Sequence, residues 1–223
     1  MSECCATLHR WFNACERLRF PFSKEKIPRN GIYILFEKGE RAHGGDRIVR
    51  VGTHTGHNQL PSRLQEHFLR ENKDRSIFRK NIGRALLSRT EDPFLSIWEL
   101  DLTSHRARAA HGHKVDRTRQ LSIEQAVSAY IRDNFTFVVF PVAEQADRLR
   151  WESQLISAIS LCEECQPSSG WLGRFSPKNR IRESGLWQVN ELYKKPLSPD
   201  DLAILGFTSY GHPQLRRPED TSP

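Results

Sequence analysis

Apolar positions change their period along the chain, and the changes mark its elements. Leu8, Trp11, Phe12, Cys15 and Leu18 recur at helical spacing, which predicts an opening amphipathic helix. Pro21 and Pro28 bracket an extended approach. Ile32, Ile34 and Phe36 then alternate with Tyr33 and Leu35, a strand apolar on both faces. Gly39, Gly44 and Gly45 mark a hairpin loop, and Ile48, Val49 and Val51 form a return strand that stops at Gly52. "NQLPSRLQEHFL" reads as a helix with Pro61 in its first turn and a core stripe of Leu60, Leu64 and Phe68. "SIFRKNIGRALL" reads as a second helix.

Phe94 to Leu102 reads as another strand, and the polar, basic run Thr103 to Arg119 as a loop. Ser122 and Gln125 have capping-box spacing at the head of a helix, "SIEQAVSAYIRDNF". "FTFVVFPV" predicts a strand buried on both faces. "EQADRLRWESQLISAIS" predicts a helix with Ala146, Leu149, Leu155, Ile156 and Ile159 on its apolar face. "SPDDLAILGF" predicts a short helix with Ser198 as cap and Pro199 at its first position. Beyond Gly211 the chain is polar and expected to be loose.

This order predicts a mixed α/β (α+β) fold. A small, mainly antiparallel central sheet of about three strands is flanked by helices. No repeat or low-complexity linker interrupts the chain, so one domain over 1–223 is expected. Its core spans about 28–190, with an N-terminal helix within 1–27 and a C-terminal extension, 191–223.

Composition adds a charge bias. The 223 residues carry 34 Lys+Arg against 27 Asp+Glu, a net charge of +7, which is compatible with a polyanionic partner such as nucleic acid. No apolar run approaches the ~20 residues needed to span a bilayer, and the first residues lack an apolar signal core. No membrane association and a cytoplasmic location are therefore expected. The five cysteines include the adjacent pair Cys4 and Cys5, a poor disulfide framework. Cys162 and Cys165 form a CxxC that the N-terminal cysteines could complete as a zinc site. No second CxxC and no H-x3-H stands nearby, so reduced thiols without stoichiometric zinc are expected.

Some residues do not fit a bland core. Glu152 falls on the apolar face of its helix, where a lone carboxylate is costly to bury. Two readings stand: a metal ligand, or half of a structural pair with an arginine. Arg63 and His67 lie one turn apart beside the Leu60 stripe. They suit a phosphodiester site, the arginine neutralising phosphate charge and the imidazole ordering a hydroxyl, or else they mark a solvated helix edge. Arg79, Lys80 and Arg84 are candidate backbone-phosphate anchors or a solvated basic face. "HGHKVD" and "SPDDLAI" hint at other nuclease chemistries, but neither has its remaining ligands at useful spacing.

Together these residues resemble the GIY-YIG nuclease superfamily. Gly31-Ile32-Tyr33 is the first half of its motif, and Arg50-Val51-Gly52 stands where the second half belongs. "LPSRL" carries the arginine, Arg63, and "WESQLI" the metal-binding glutamate, Glu152. A histidine four residues after the arginine, here His67, is seen in restriction-enzyme members. "RVGTH", "SIFRKNIGRALL", "WLGRFSP" and "SGLW" are similar to an uncharacterised GIY-YIG-like subgroup. The resemblance covers about Asn30 to Asn190. It implies a Mg²⁺- or Mn²⁺-dependent endonuclease acting on double-stranded DNA, with Tyr33, Arg63, His67 and Glu152 catalytic and Glu152 on the metal. Two departures stand out. Arg50 replaces the second tyrosine, where it can hold a phosphate oxygen. No asparagine follows shortly after Glu152, and Asn179 and Asn190 lie further on. A nucleic-acid-binding module with a decayed nuclease centre is the alternative.

Overall fold

The computed structural model describes residues 2–206. Helix α1 (Ser2–Ala14) opens the chain and is followed by the two-residue strand β1 (Leu18–Arg19). The long strands β2 (Gly31–Ala42) and β3 (Gly45–Gly52) form the hairpin. Helices α2 (Leu60–Phe68), α3 (Ile77–Arg89), α4 (Leu95–Trp98), α5 (His105–His111) and α6 (Arg117–Asn134) lead to strand β4 (Phe135–Pro141). Helices α7 (Gln145–Ser160), α8 (Asn179–Ser184) and α9 (Pro199–Ile204) follow. The sheet is antiparallel, in the order β1-β4-β2-β3. It thus has four strands among the described residues, one more than expected, and the extra one is the short β1, which takes Leu18 out of the opening helix.

Each face of the sheet carries its own core, which is why β2 is apolar at every position from Ile32 to Phe36. Ile32, Ile34 and Phe36 pack with α1 and α7 through Leu8, Phe12, Leu155 and Ile159. Tyr33 and Leu35 pack on the other face with Leu64, Phe68, Phe78 and Ile82 of α2 and α3. The outer edge of β3 is covered by the segment before Asn190. Trp187 N–H donates to Val49 O at 2.8 Å, and Val51 N–H donates to Gln188 Oε1 at 3.1 Å. A bare edge is thereby closed to pairing with other chains.

Several expectations are corrected. Phe94 to Leu102 is not a strand: it holds the short α4, whose Trp98 is buried against α3 and donates its indole N–H to Lys80 O at 3.0 Å. The expected loop Thr103 to Arg119 contains α5, capped by Ser104, and the start of α6. Helix α6 begins after Asp116, whose side chain caps Arg119 N–H, and not at Ser122. On α7, Ala146 and Leu149 are exposed. Arg148 and Trp151 are buried in their place, the Arg148 guanidinium bonding the Val142, Ala143 and Gly56 carbonyls. The predicted cap at Ser198 is present as a full capping box with Asp201. The tail expected to be loose beyond Gly211 lies outside the described residues. No described helix is long and apolar enough to cross a membrane.

Candidate active site

Five consecutive residues, Arg50 to His54, organise the site. Tyr33 of β2 pairs with Gly52 of β3. A Cβ at Gly52 would stand 2.2 Å from the Tyr33 hydroxyl, so the phenol crosses the neighbouring strand only because residue 52 has no side chain. Arg50 lies over the same phenol, its Nε donating to the Tyr33 oxygen at 3.4 Å and its other end to Trp187 O at 2.6 Å. The Thr53 N–H donates to Glu152 Oε1 at 3.0 Å, and the Thr53 hydroxyl to Gly31 O at 2.7 Å. The two halves of the sequence motif are thus tied to each other and to α7.

The Tyr33 hydroxyl lies 2.7 Å from His67 Nε2, and His67 Nδ1 lies 2.7 Å from Ser76 Oγ. Helix α2 supplies His67, and Ser76 is the N-cap of α3. His67 is fully buried. Burial lowers its pKa well below the usual 6.5, and the charges of Arg63, Arg50 and Arg79 press in the same direction. The imidazole is therefore neutral and carries one N–H. When that proton is on Nδ1, facing Ser76, Nε2 is free to accept the phenol proton.

Glu152 sits on α7 where two hollows meet. One, of about 530 Å³, is lined by His54, Gln59, Arg63 and Arg75. The other, of about 430 Å³, is lined by Arg50, Asn81, Gln188 and Asn190. Both include Glu152 and Leu149. Burial raises the Glu152 pKa, opposed by the Arg50 charge, the Thr53 hydrogen bond and, more weakly, Arg63. No arginine or lysine forms an ion pair with it among the described residues; its only hydrogen bond is the one to Oε1. Oε2 is left to the cleft. That is a poor structural pair and a suitable ligand position for a hard divalent cation, which takes few carboxylates and keeps its waters. Arg63 faces the same hollow while donating to Glu66 Oε2 at 3.0 Å and Arg75 O at 3.1 Å.

The structure does not bring all predicted residues together. Arg79, Lys80 and Arg84 point inward, away from any phosphate. Arg79 is fully buried and donates to Glu124 Oε2 at 2.8 and 3.2 Å. Lys80 Nζ donates to Glu99 O at 2.9 Å. Arg84 binds both Glu99 oxygens at 2.6 Å. Neither backbone anchors nor a solvated face, they hold α3 to α4 and α6. Tyr33 is in place but lines neither hollow, because Arg50 covers it.

Two further residues line the hollows, one not singled out in the sequence and one left unassigned. His54 donates through Nδ1 to Gly56 O at 2.7 Å, so Nε2 carries the lone pair, and that buried nitrogen has no partner among the described residues. Its place in "RVGTH", directly after the motif, was the available signal. Asn190 lines the second hollow with Glu152. Its 38-residue separation hid it from a search a short way beyond the glutamate.

A family model described as the GIY-YIG domain matches residues 3–206. No curated protein and no solved structure matches the chain.

Proposed function

The chain belongs to the GIY-YIG family, a family of nucleases, and from that premise we propose that it is a divalent-metal-dependent endonuclease acting on double-stranded DNA. The observation that carries the reading is the unpaired Glu152 carboxylate, within electrostatic reach of Arg50 and Arg63, with Arg50 in turn bonded to the Tyr33–His67 pair.

Each residue has a role that follows from its position. Arg63 and Arg50 hold the non-bridging oxygens of the scissile phosphate, and their charge counts most where negative charge grows in the transition state. A phosphate oxygen that draws the Arg50 guanidinium toward the cleft uncovers the Tyr33 hydroxyl. The phenol then takes a proton from the attacking water while neutral His67 takes the phenol's proton at Nε2, becoming an imidazolium whose Nδ1 proton stays hydrogen-bonded to Ser76. Glu152 would hold Mg²⁺ or Mn²⁺, which supplies Lewis-acid stabilisation of the phosphate and of the leaving oxygen.

The test is incubation of the purified chain with supercoiled plasmid, with Mg²⁺ or Mn²⁺ and with chelator. Nicking that requires the metal and falls by orders of magnitude in Glu152→Gln and Tyr33→Phe is expected. One observation favours a second reading, a DNA-binding module without turnover: Tyr33 is fully buried beneath Arg50. Binding without cleavage under every divalent metal would replace the first reading with this one.

A further inference from the structure

The far end of the β2–β3 hairpin carries a second cluster. Cys5 and His9 stand one turn apart on α1, His43 is in the hairpin turn, and Cys162 and Cys165 follow α7. Ligand atoms of Cys5, His9, His43 and Cys165 all lie within 4.8 Å of one another. The sulfurs of Cys5 and Cys165 are 3.3 Å apart, and Cys162 Sγ is 3.4 Å from His43 Nε2. Cys162 is close enough to Cys5 and Cys165 for both thiols to perturb its ionisation. Tetrahedral zinc with Zn–S of about 2.3 Å and Zn–N of about 2.0–2.1 Å needs ligand-to-ligand edges of about 3.3–3.8 Å. The Cys5–Cys165 and Cys162–His43 separations lie close to those edges.

His43 supplies an independent sign. It occupies a two-residue turn, with Ala42 opposite Gly45, at φ 50, a left-handed conformation uncommon for a residue with a side chain. A hairpin tip would be expected to point its side chain into water. This one is 5% exposed and folded onto the thiols, with Nδ1 3.5 Å from the Glu164 carboxylate. That is the arrangement of a metal-bound histidine, whose second nitrogen donates to a carboxylate.

Five donors compete for four places, and hydrogen bonding decides among them. His9 Nδ1 donates to Cys5 O at 2.9 Å, and its Nε2 lone pair accepts the Ile48 N–H at 3.1 Å. Both ring nitrogens of His9 are committed to the backbone. His43 Nε2 and the sulfurs of Cys5 and Cys165 are not, and Cys162 Sγ takes the Glu164 N–H with lone pairs to spare.

We propose that the chain holds a structural zinc ion on Cys5, His43, Cys162 and Cys165, with His9 buttressing the site through the backbone. The ion would fasten α1 to the hairpin tip and to the end of α7, across about 160 residues of chain. The expectation of free thiols rested on the lack of a further ligand nearby in sequence; in space three elements supply them. This site is independent of the nuclease reading.

The experiment uses the full chain. Metal analysis of protein purified without chelator is expected to give a stoichiometric zinc, and Co²⁺ in its place the thiolate charge-transfer and visible bands of a tetrahedral site. Zinc should be lost from Cys162→Ser and Cys165→Ser and kept by His9→Ala. Should the variants fail to fold, wild-type protein is alkylated with and without zinc and read peptide by peptide. Zinc at about a hundred times its dissociation constant should slow modification of Cys5, Cys162 and Cys165 about a hundredfold, and leave Cys4 and Cys15 unchanged. Equal modification of all five cysteines, or a disulfide joining Cys5 to Cys165 in protein purified without oxidant, overturns the proposal. Zinc kept by Cys162→Ser and lost from His9→Ala overturns the ligand set.

Discussion

Glu124 and Glu152 are both carboxylates set among arginines, and they differ in what else they touch. Glu124 Oε2 accepts two N–H groups of Arg79, and the rest of that guanidinium is taken by Glu124 O, Ser128 Oγ and His67 O. Lys73 N–H fills Oε1. Every polar atom of that pair is used inside the protein. Glu152 has one backbone hydrogen bond, two guanidiniums at a distance and an oxygen facing a hollow. A saturated buried pair fixes structure, because breaking it strands a charge. An unsaturated one has a place left for something from outside.

The comparison is sharpest in the response to substitution. Arg79→Ala strands the Glu124 carboxylate and should lower stability by about 3–5 kcal/mol, read by urea or thermal unfolding. A loss below 1 kcal/mol, the range of exposed pairs, would break the contrast. Arg63→Ala should leave the melting temperature near wild type and reduce turnover about 10²–10³-fold, with a far smaller loss of DNA affinity. Equal losses of both would make Arg63 a plain phosphate anchor.

His67 joins the two regions, its carbonyl on Arg79 and its ring on Tyr33. Its folded pKa lies below the unfolded value of about 6.5. Below that pH the unfolded chain takes up a proton that the folded one refuses. Stability therefore falls as pH drops, by up to about 1.4 kcal/mol per pH unit. His67→Gln should remove that slope; an unchanged slope would mean that the native imidazole is charged and cannot accept the phenol proton. The smallest effect concerns Glu152→Gln in chelator. With no ion pair to break, melting should stay level or rise, because a partly desolvated carboxylate has been removed. A clear drop in melting temperature would class Glu152 with Glu124.

Most of the sheet and its helices could be read from period and punctuation. The hairpin announced itself through glycines and alternation, α2 through Pro61, and α9 through Ser198 and Pro199. The failures share a cause. "PFLSIWEL" fits a strand or a short helix equally, and only Trp98 docking on Lys80 O settles it. Helix α5 buries none of its residues, so no apolar stripe could show it. Tyr33, Arg63, His67 and Glu152 could be singled out because a motif orders them. Arg79 and Arg84 were misread because their partners, Glu124 and Glu99, come from other segments, and charge alone does not say which way a side chain turns. The thiols were noted in the sequence, but His9 and His43, which come from other segments, were not joined to them.

The way β3 is covered sets a timetable. Arg50 is held by the carbonyl of Trp187, Val51 by Gln188, and Asn190 completes one wall. The buried Glu37 waits as long, since Oε2 receives its donors from Trp171 and Trp187. Strand β2 cannot gain its β4 partner until about a hundred residues after it is made. During synthesis the hairpin therefore emerges early with Tyr33, and the cleft closes around it only once the chain has passed Asn190. Growing chains, still tethered to the ribosome and short of that point, would carry the cleft without its last wall.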